Sequence, residues 1–172
     1  MSYRRTSSPF LTGVLVGVGV WIAGYLFALV LVAVVQPPAT EHFAVPGYAG
    51  AIYVFGAVLA LLSLSGESPP LLLLSPAFVV LLVAVAGGAI VPVRADRLDS
   101  GWVAAKAGAT VGIGVCLATL AALALYLLPS TPVSNTPVSL RYVALLFGNL
   151  LLPALAGALG GALQHAVAMR QS

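Results

Sequence analysis

Four carboxylates, two histidines, one cysteine and a single lysine are the residues of this 172-residue chain that could transfer protons, ligate metals or attack as thiolate. Their spacing argues against such work. Glu41, Glu67, Asp96 and Asp99 all fall between long apolar runs and never within one. A proton-coupled carrier needs a carboxylate at depth in the membrane and an aspartyl intramembrane protease needs two; neither pattern occurs. Glu41 and His42 are neighbours, but His165 and Cys116 stand far from them and from each other, so no zinc spacing forms. Nucleophile elbows and glycine-rich phosphate loops are missing as well. Cys116 sits alone in an apolar run and reads as a small buried hydrophobe. The chain therefore reads as a non-enzyme that takes no metal and no cofactor.

Three polar residues within or beside apolar runs remain. Asn149 offers amide donors and acceptors where water is scarce, and reads as a helix-to-helix bond or a partner for the carbonyl that Pro153 frees. A pore-lining or substrate-contacting role is its alternative. His165, about one turn before Arg170, reads as an interfacial histidine bonded to water or a carbonyl, with haem ligation or pH sensing as the alternative. Lys106 follows Trp102 by one turn, so its ammonium is expected to snorkel to lipid headgroups or, alternatively, to pair with Asp99 or Asp96.

The elements that must carry these residues follow from composition. The chain is 61% hydrophobic and 6% charged, whereas soluble domains are about 25% charged, and so few polar groups cannot cover a water-soluble surface. The net charge of +3 comes from residues scattered over short connections without a basic face, so nucleic acid is not an expected partner. Apolar runs place membrane spans at about 10–35, 71–93, 102–128 and 141–169, within a single membrane domain covering 1–172, and a shorter run at 49–65. The first run follows Arg4 and Arg5 but is about 26 residues long, beyond the roughly 7 to 15 of a secretory signal's apolar core, and reads as a retained span. Gly13 and Gly17, Gly108 and Gly112, and Gly157 and Gly161 each recur at four-residue spacing, which lets helix backbones approach closely. Pro153 is expected to kink the last span.

The side taken by the charged turn Arg94 to Trp102 sets the topology. With four spans and a cytoplasmic N-terminus, Arg4, Arg5, Arg94, Arg97, Lys106 and Arg170 face the cytoplasm and Arg141 alone lies outside. With five, Arg4, Arg5 and Arg141 lie inside against Arg94, Arg97, Lys106 and Arg170 outside, which leaves no bias. The expected fold is thus an all-α integral membrane bundle of four transmembrane helices, with 49–65 as a short embedded or interfacial helix; five transmembrane helices are the alternative. Phe10 and Trp102 then mark the inner interface, and Phe43, Tyr48, Tyr126 and Tyr142 the outer one.

Gly13 to Tyr25, Ala107-Gly108-Ala109-Thr110-Val111-Gly112, and Leu146-Phe147-Gly148-Asn149 through Pro153 to Gly160-Gly161 cover about half of the chain. In these stretches it resembles a family of small uncharacterised haloarchaeal membrane proteins, and the resemblance implies four spans with an extracytoplasmic hydrophobic segment after the first. Six arginines to one lysine, with abundant Ala, Gly, Val and Leu, suggest a GC-rich genome, which fits haloarchaea or actinobacteria. The expected role is that of a scaffold or accessory subunit in a cell-membrane homo-oligomer or larger complex, partnered by the lipid bilayer. A small channel or facilitator for an ion or neutral solute is the alternative.

Overall fold

A computed structural model describes residues 8–35, 71–96, 99–126 and 147–171. These form helix α1 (Pro9–Val35), α2 (Leu71–Arg94), α3 (Gly101–Tyr126) and α4 (Leu152–Gln171), the last entered through one turn of π-helix at Phe147–Leu151. All four helical segments are long and apolar enough to cross a bilayer. The segment 49–65, Arg4, Arg5, Arg97 and Arg141, and the aromatic residues Phe43, Tyr48 and Tyr142 lie outside the described residues.

α2 and α3 form a hairpin through residues 95–100, and α1 and α4 each pack against both of its arms. The bundle is therefore a flattened diamond with α1 and α4 at its far corners. Contacts fix the directions. Gly13 lies against Thr110, and Trp21 reaches Thr119, so α1 and α3 run parallel. Gly101 meets His165, Gly108 meets Gly157, and Gly112 meets Leu150, so α3 and α4 run antiparallel. The start of α1, the hairpin turn and the end of α4 consequently share one end of the bundle, here termed the hairpin end.

The core is built from small residues. Val20, Ala28 and Val32 of α1, Ala84 and Val91 of α2, and Ala104, Val111 and Val115 of α3 are buried. The large apolar side chains point outward instead: Phe78 is 68% exposed, Leu82 64% and Trp102 70%. A soluble bundle does the reverse, because water drives its largest apolar surfaces inward. In lipid that drive is absent, and close packing of small residues holds helices together.

The hairpin is closed by local bonds. The amide of Ala95 donates to the Val91 carbonyl at 3.0 Å, and Asp96 then turns left-handed with φ 53°, ending α2. Ser100 starts α3: its Oγ accepts from the Val103 amide at 3.2 Å, and its carbonyl accepts from Ala104 at 2.9 Å.

Candidate functional site

Three side chains from three helices meet in the half of the bundle away from the hairpin. The Trp21 indole Nε1 of α1 donates to Thr119 Oγ1 of α3 at 3.0 Å. Thr119 in turn donates its hydroxyl hydrogen to Asn149 Oδ1, in the π-turn before α4, at 3.3 Å. Thr119 is 2% exposed and Asn149 6%. The relay is consistent in sense, because an indole can only donate, a hydroxyl can do both, and the amide oxygen accepts. Tyr25, one turn beyond Trp21, stacks on the indole with centroids 5.5 Å apart and planes 10° from parallel. Indole, hydroxyl and carboxamide carry no proton that titrates near neutrality, so the relay binds helices together and positions them.

The π-turn explains how Asn149 reaches this place. Pro153 has no amide hydrogen, so an α-helical register would leave the Asn149 carbonyl without its i+4 donor. One turn of the wider π-helix, Phe147–Leu151, stands immediately before this proline-bearing turn and contains Asn149, whose side chain reaches Thr119 of α3. Pro153 itself, in the first turn of α4 after the π-turn, is fully buried.

The six packing glycines all lie at helix contacts, and several converge. Gly88 of α2, Gly108 of α3 and Gly157 of α4 form one junction: a methyl added at Gly88 or Gly108 would overlap the Gly157 carbonyl, and one at Gly157 would overlap that of Gly108. Pro92, fully buried, withholds the amide that would bond the Gly88 carbonyl, and that oxygen lies 3.0 Å from where a Gly108 methyl would stand. Gly161 abuts the Ala104 carbonyl, Gly112 packs on Leu150 and Ala154, and Gly13 and Gly17 pack on Thr110 and on Val111 to Val115. Gly160 and Gly114 join these interfaces, at Val85 and Val14.

The remaining expected site residues are dispersed. His165 is half-buried beside Gly101, where a methyl on the glycine would come within 3.3 Å of its Cδ2. Lys106 places Nζ 4.9 Å from the centroid of the Trp102 ring, a cation–π contact in place of an ion pair with Asp96 or Asp99. Arg94 ends α2 and Arg170 lies in the last turn of α4, both at the hairpin end. Among the described residues no three His, Cys, Asp or Glu side chains come together.

Trp21 and Thr119 escaped the sequence reading, although each carried a signal. A tryptophan midway along a long apolar run has an N–H that apolar surroundings cannot satisfy, and a lone threonine deep in such a run has the same need. No protein family, curated protein or solved structure matches the chain.

Proposed function

We propose that the chain is a multi-pass protein of the cell membrane whose four helices cross the bilayer, and that it serves without catalysis as a scaffold or accessory subunit of a homo-oligomer or larger membrane complex. The observation that carries this reading is the inverted distribution of side chains, with glycine, alanine and valine inside, large apolar groups outside, and the deep polar groups bonded to one another. Such an interior is filled by backbone contacts and leaves its chemistry to packing.

Four crossings are supported by the antiparallel α1 and α2. The chain must enter α2 at the end where it left α1, which a single further crossing at 49–65 would prevent. In this reading 49–65 is embedded or interfacial. The hairpin end faces the cytoplasm, since Arg94, Lys106 and Arg170 lie there and Arg4 and Arg5 immediately precede the helix that starts there.

A small channel or facilitator is the second reading, favoured by the π-turn at Asn149, because such turns recur at functional sites. Reconstitution separates the two. The scaffold reading expects liposomes containing the protein to leak ions and small neutral solutes no faster than empty ones, and native purification to return a fixed oligomer or a stoichiometric partner. Specific flux that disappears in Asn149→Leu would replace it with the channel reading.

A further inference from the structure

No further inference is drawn: the strongest candidate, the outward face of α1 around Gly19, where nothing stands within 4 Å of an added methyl and Leu15, Ile22 and Leu26 are exposed beside it, is an unpartnered apolar face, and nothing in the structure shows what covers it.

Discussion

At the scale of the residue, the Trp21–Thr119–Asn149 relay ties α1, α3 and the turn before α4 together through three polar side chains. A hydrogen bond between helices in lipid contributes about 0.6 kcal/mol on average and up to about 1.7, whereas a deep polar group left without its partner costs more. Thr119→Val removes the acceptor of the indole N–H and the donor to the amide oxygen, and should destabilise the bundle by about 1–2 kcal/mol in detergent unfolding. Adding Asn149→Leu to it should cost less than the sum of the two single changes, since both remove the same Thr119–Asn149 bond. A strictly additive double variant would show that the two side chains are not coupled. Asp96 offers a change of opposite sign. Its φ of 53° is strained for any residue with a Cβ, and its charge opposes the negative end of the α2 dipole. Asp96→Gly should raise the melting temperature, by about 1 kcal/mol in stability, and Asp96→Val should lower it.

At the scale of the element, glycines decide how close the helices come. Carbonyl oxygens of one helix occupy the positions where the Cβ atoms of the next would stand, so Gly108→Ala or Gly157→Ala must push α3 and α4 apart. The expected loss is about 1–3 kcal/mol for either. Gly19 has nothing within 4 Å of an added methyl, so Gly19→Ala should be neutral or slightly stabilising. Equal effects at Gly19 and Gly157 would separate the close contacts from stability. The four-residue glycine spacing was legible in the sequence because it needs only helical periodicity. The convergence of Gly88, Gly108 and Gly157 was not, since it depends on how three helices cross. Pro153 was legible as a disturbance, but the π-turn just before it and the bond from Thr119 to Asn149 depend on a helix distant in sequence and were not.

At the scale of the whole molecule, the gathering of the α1 start, the hairpin turn and the α4 end predicts a labelling pattern. In a Cys116→Ala background, Asp99→Cys should react with an impermeant thiol reagent from the cytoplasmic side, and Ser68→Cys and Ser130→Cys from the other. Asp99 serves better than Ser100, whose hydroxyl caps α3. Labelling of Asp99→Cys from the outside would reverse the orientation while leaving the bundle intact. Labelling of Ser68→Cys and Ser130→Cys from opposite sides would break the layout itself.

Composition and apolar run length were enough to determine the four helices of membrane-crossing length among the described residues, because the constraints that a bilayer sets are local: every backbone group must be bonded within its own segment, and the segment must be long enough. The same local logic placed the charged turn between α2 and α3. Only the tertiary structure decided which polar groups found each other, because Trp21, Thr119 and Asn149 are separated by 98 and 30 residues and no short-range pattern links them.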